Sequence, residues 1–137
     1  MRLRFPALCV GLALLLVACS KDEHASYKEP SLVNLNARIP LSTNDTATIS
    51  FDEVVSDSRC PANSLCTWAG IAIARFTLRK GQKELPFMLS IMPGYPKQDT
   101  IINGYVIELS DLKPYPGLAA DDKKLPIQAE LRVFRLR

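Results

Sequence analysis

Histidine is almost absent from this chain: of 137 residues, only His24 is one. Catalysis through an imidazole is therefore excluded for residues 31–137, and so is a histidine-bearing metal centre there. Glycine is sparse, with 6 residues, and no glycine-rich loop follows a strand to cradle phosphate. Neither sign of charge dominates. Seventeen basic and 14 acidic residues leave a net charge of +3, two units of which come from Arg2 and Arg4. Without a basic field, nucleic acid is a poor partner. Residues 5–19 carry no charge, but that run is shorter than the roughly 20 apolar residues a spanning helix needs.

What is present begins with an address. Arg2 and Arg4 precede the apolar segment Gly11-Leu12-Ala13-Leu14-Leu15-Leu16-Val17, the pattern of a secretory leader. An uncleaved N-terminal membrane anchor is the competing reading. Leu16-Val17-Ala18-Cys19 resembles the bacterial lipobox: an aliphatic residue, a variable one, a small one, then cysteine. The resemblance implies cleavage before Cys19, a diacylglycerol on its thiol and a further acyl chain, palmitate for instance, on its freed amine. Several chains on one residue anchor durably, because each buried CH₂ contributes about 0.8 kcal/mol and one chain alone is marginal. Ser20 resembles the outer-membrane sorting default of Gram-negative cells, on the face toward the periplasm. Residues 19–30 are then a lipidated cysteine and a polar, flexible tether, reaching about 35 Å at most when extended. Residues 31–137 form one domain with a modest core.

Cysteine usage follows from that address. Cys9 leaves with the leader and Cys19 carries lipid, so Cys60 and Cys66 remain in a compartment where disulfides form. They are expected to pair. A thiol metal site is the alternative, and two cysteines with no nearby histidine make a poor one. No metal and no cofactor is expected.

Period-two alternation of apolar residues predicts an all-β domain. Leu35, Ala37 and Ile39 alternate with polar neighbours, as do Ala47, Ile49 and Phe51. Ile71 and Ile73 oppose Ala72, Ala74, Phe76 and Leu78. Leu85, Phe87, Leu89 and Ile91 alternate most cleanly, after a hairpin at Lys80-Gly81-Gln82-Lys83. Tyr105, Ile107 and Leu109 form another run, and Ile127, Ala129, Leu131 and Val133 the last. Proline- and glycine-bearing turns separate these runs. The expected architecture is an antiparallel β-sandwich, immunoglobulin-like with about seven strands, or else a small β-barrel. Ser110-Asp111-Leu112-Lys113 and residues 118–124 each have the character of a helical turn.

One constellation stands out: Asp57-Ser58-Arg59-Cys60-Pro61, then Cys66-Thr67-Trp68-Ala69-Gly70. It resembles a D-S-R-C-P…C-x-W-A-G motif of small, mostly uncharacterised bacterial envelope proteins, many of them lipoproteins. The resemblance implies a β-sandwich and carries no activity. On the residues themselves, Pro61 favours extended backbone before it, and Gly70 permits close backbone approach. Asp57 and Arg59 would pair with each other or bond loop backbone, and Trp68 would cover the knuckle or plug one end of the sandwich. The functional alternative makes Asp57, Arg59 and Trp68 a binding edge, since Arg and Trp are common hot-spot residues.

Asp45, Asp52 and Asp57 lack the dense spacing of a calcium loop. Asp121-Asp122-Lys123-Lys124 reads as a solvated turn. No motif selects a nucleophile with its base, so no catalytic residue is expected. The leading expectation is a membrane-anchored, non-catalytic domain that binds another envelope protein. The alternatives are a small-ligand binder with an aromatic pocket among Trp68, Tyr95, Tyr105 and Tyr115, and a hydrolase with an unrecognised carboxylate pair.

Overall fold

The computed structural model describes residues 30–42, 45–92, 96–118 and 125–136. The segment expected to be a leader, Cys19, most of the expected tether, Tyr95 and residues 121–124 lie outside them. Eight strands occur, and no helix, among the described residues: β1 (Ser31–Asn34), β2 (Arg38–Pro40), β3 (Thr48–Asp57), β4 (Ala72–Lys80), β5 (Lys83–Ser90), β6 (Asp99–Ile102), β7 (Tyr105–Lys113) and β8 (Gln128–Arg135). They form two four-stranded antiparallel sheets, β1-β8-β7-β6 and β2-β3-β4-β5, packed as a sandwich.

The topology differs from the expected immunoglobulin-like order. That order exchanges strands between sheets through Greek-key connections. Here β2 to β5 run consecutively in one sheet and β6 to β8 in the other, and β1 lies beside β8. The order is that of an up-and-down meander folded flat, yet the hydrogen-bonded ladders stop between β1 and β2 and between β5 and β6, so no barrel closes. Both outer strands of the second sheet carry a proline, Pro40 and Pro86, which has no N–H to offer an incoming strand.

Alternation decides which side chains meet between the sheets. Ile49, Phe51, Ala72, Ala74, Phe76 and Leu78 are fully buried from one side; Val33, Ile107, Leu109, Ala129 and Leu131 are fully buried from the other. For β4 this settles the inward face as the Ala72–Phe76–Leu78 set. Phe76 stacks between Phe51 and Phe87, with ring centroids 5.3 and 5.8 Å apart.

Three expectations about local structure change. The run through Leu35, Ala37 and Ile39 is not one strand: Asn36 sits at φ 64°, and the turn it makes carries the chain from one sheet to the other. Ser110-Asp111-Leu112-Lys113 is the end of β7 rather than a helical turn. A register shift between Leu109 and Asp111 inserts one residue, so Leu109 and Leu112 both face the core three positions apart. That spacing mimics a helical period. β6 escaped the alternation altogether, although Asn103-Gly104, at φ 50° and 80°, makes the two-residue hairpin turn that joins it to β7.

Each end of the sandwich carries a polar tie between the sheets. At one end the Tyr105 hydroxyl, at the start of β7, donates to the Asp45 carboxylate before β3. Lys80 Nζ also approaches that carboxylate, at 3.2 Å. The other end holds the cysteine loop.

Candidate functional site

The loop after β3 is built around a buried arginine. Arg59 is only 5% exposed. Its Nε and Nη2 donate to Asp57 Oδ1 and Oδ2 at 2.9 and 2.6 Å, the two-pronged geometry that suits a guanidinium and a carboxylate. Nη1 donates to the Leu112 carbonyl at 2.7 Å, and Nη2 also reaches the Pro114 carbonyl at 3.3 Å. The Tyr115 ring lies under the guanidinium, 4.7 Å from ring centre to Cζ. One side chain thus joins the end of β3 to the end of β7, in the opposite sheet.

Around that anchor the loop closes into a knuckle. Cys60 and Cys66 form a disulfide with a Cα–Cα separation of 5.8 Å. The Ser58 N–H donates to the Ile71 carbonyl at 2.8 Å, and Ile71 N–H donates back to Ser58 Oγ at 3.2 Å. Gly70 is required at the crossing point. It adopts φ +71°, and a Cβ there would stand 2.0 Å from the Ser58 carbonyl oxygen. Beyond the cis Lys113–Pro114 peptide bond, the chain turns back against the knuckle. Ala62 N–H donates to the Pro116 carbonyl at 2.9 Å. A Cβ on Gly117 would stand 2.6 Å from Pro61 Cβ. The two loops are therefore one packed body.

Asp57, Arg59 and Trp68, the three residues of the alternative binding-edge reading, separate into two roles once the backbone is in place. Asp57 and Arg59 are brought together, but Arg59 is buried and its guanidinium is committed to internal partners. Trp68 does not plug the sandwich; it is 63% exposed. Leu65, which no sequence pattern singled out, is 105% exposed at the tip of the same knuckle. An isolated leucine beside a loop cysteine was the available signal.

The aromatic pocket of the small-ligand alternative does not assemble from its four members. Tyr105 is buried at the far end of β7, where burial and its bond to the Asp45 carboxylate raise its pKa. Tyr95 lies outside the described residues. Tyr115 alone lines a cavity, of about 570 Å³, between the knuckle and the 114–118 loop. Its floor and walls are mainly apolar and include Val54, Leu112, Pro116 and Ile127.

The three acidic candidates sit apart. Asp45 accepts from Tyr105, Lys80 and the Ala47 N–H, and the Tyr105 bond first among these holds its pKa down at about 2. Asp52 accepts from Ser50 and Thr77 at 2.7 and 2.6 Å. Asp57 serves Arg59. No group of three or more acidic, cysteine or histidine side chains suited to a metal ion occurs among the described residues. No helix among them is long and apolar enough to cross a membrane.

The geometry defines a β-sandwich with a disulfide-closed, arginine-anchored knuckle at one end. Comparison with family models, curated proteins and solved structures finds no match.

Proposed function

We propose that this chain is a lipid-anchored protein of the bacterial envelope, attached through Cys19, and that its sandwich presents the cysteine knuckle to a second envelope protein without catalysing a reaction. The observation that carries this reading is the exposure of Leu65 and Trp68 on a loop that is otherwise tied down. Two large apolar side chains face solvent while the backbone beneath them is held by a disulfide, by Arg59 and by hydrogen bonds to two neighbouring segments. A rigid loop loses little entropy on binding, and an exposed tryptophan on such a loop is a typical anchor.

A photocrosslinking amino acid placed at Leu65 in living cells tests this. The expected result is a discrete protein adduct from position 65 that is absent when the crosslinker replaces Glu84, on the hairpin at the opposite end. Trp68→Ala should weaken binding of the purified adduct partner by at least about tenfold, a hot-spot loss of more than about 1 kcal/mol. Equal adducts from both positions, or none from either, would refute the reading.

A further inference from the structure

We infer that the cavity between the knuckle and the 114–118 loop is a binding site for a compact, uncharged, mainly apolar small molecule. This goes beyond the protein contact proposed for Leu65 and Trp68, which project from the knuckle and do not line the cavity.

The size is that of a ligand site: about 570 Å³, within the range of roughly 300–1,000 Å³ that small-molecule pockets occupy. The chemical class follows from the charges on its wall. Among the described residues, three charged side chains line it: Asp57, Arg59 and Lys113. The Arg59 guanidinium makes four hydrogen bonds, two to Asp57 and one each to the Leu112 and Pro114 carbonyls. Tyr115 covers one of its faces. Lys113 Nζ lies 3.3 Å from Glu130 and 3.7 Å from Asp111. An anion in the cavity would have to draw Arg59 from Asp57 or Lys113 from Glu130 and Asp111, and a cation would have to compete with the guanidinium for Asp57. Both exchanges break a pair that is already formed, and the Asp57–Arg59 pair is largely out of water. An uncharged molecule meets none of this. It gains contact with Val54, Leu112, Pro116, Ile127 and the Tyr115 ring, and the Asn63 amide, also on the wall, can fix its orientation.

The cavity is framed by elements that are fastened to each other. Arg59 holds the floor to the 114–115 turn, and the Ala62–Pro116 bond joins the two walls. The site is thus formed before any ligand arrives, which reduces the ordering cost of binding.

The test is photolabelling of the full chain in its membranes with an uncharged diazirine-bearing naphthalene, alongside the same ring carrying a sulfonate. The uncharged probe should label peptides containing residues 112–118 and 127 saturably, with competition by excess unlabelled naphthalene. The sulfonate should label them at least about tenfold less, a difference of about 1.4 kcal/mol. Ile127→Phe, which fills the cavity from a partly exposed position, should lower the saturable labelling by a similar factor while Trp68 emission stays unchanged. If that variant fails to fold, proximity of the bound probe to the Leu112 and Ile127 methyl groups, measured by NMR on the unaltered chain, decides the matter. Unsaturable labelling spread over the surface, equal labelling by the sulfonate, or a bound probe remote from those methyls would overturn the site. None of these results depends on whether position 65 crosslinks to a protein.

Discussion

Replacing Arg59 by alanine removes more than a charge. Asp57 loses its two-pronged partner, and the Leu112 and Pro114 carbonyls lose the donors that Arg59 aims at them. The arginine side chain is 4% exposed and the aspartate side chain 24%, so solvent replaces these contacts incompletely. Breaking one side of such a buried pair costs about 3–5 kcal/mol. Against a total stability of about 5–15 kcal/mol for a small domain, that is a large fraction. At roughly 4 °C per kcal/mol for a domain of this size, the melting temperature should fall by roughly 12–20 °C. Arg59→Lys should lose much of the same stability, because an ammonium cannot span Asp57 and two carbonyls with a planar fork. Asp57→Ala combined with Arg59→Ala should cost clearly less than the two single changes added together, since the double variant leaves no buried charge behind. Thermal and urea unfolding of the parent and these variants measures this. An Arg59→Ala variant within about 0.5 kcal/mol of the parent, the scale of an ordinary surface change, would refute the idea that this side chain fastens the two sheets.

Other expectations follow from the same geometry. Trp68→Ala should change stability by less than about 0.5 kcal/mol, because the ring is mostly in solvent, and urea unfolding checks it. Gly70→Ala should destabilise by at least about 2 kcal/mol, since a Cβ would collide with the Ser58 carbonyl and the residue would also sit at positive φ. Replacing Cys60 and Cys66 by serine should cost about 2–2.5 kcal/mol, the entropy of a short loop, while the Arg59 contacts persist and keep the sandwich folded. The Asp45 carboxyl has its pKa lowered from 3.8 to about 2. Its contribution is present above the unfolded value and is lost as pH falls through the folded one, so Asp45→Asn should flatten the loss of stability between about pH 4 and pH 2. Tyr105→Phe should raise the Asp45 pKa toward its ordinary value, which a carboxyl ¹³C titration reads directly.

The fold class was legible because alternation reports burial one residue at a time. Ile49, Phe51, Ile107 and Leu131 announced an inward face by period alone, and each is fully buried. Where a bulge adds a residue the period breaks, and Leu112 then looked like the next turn of a helix. The turn at Asn103-Gly104 carried a strong local signal, and the four-residue strand before it was too short to alternate visibly. At the candidate site, Arg59 was legible as a residue of interest, but its role was not. Its partners include the main-chain carbonyls of Leu112 and Pro114, and a carbonyl has no signature in a sequence.

What the sequence determined by itself is local. It marked strand periodicity, turns, an uncharged apolar stretch ending at Cys19, and two cysteines close enough to pair. These rest on covalent spacing and on the side-chain period, which need no knowledge of distant residues. Tertiary structure alone decided that Arg59 lies inside and Trp68 outside, although both belong to one short stretch. Burial depends on what packs above a residue. Here the covering elements are the end of β7 and the Pro114–Gly117 turn, more than fifty positions away along the chain from Arg59. Nothing in the knuckle's own residues encodes their arrival, and the cavity exists only because the two loops meet.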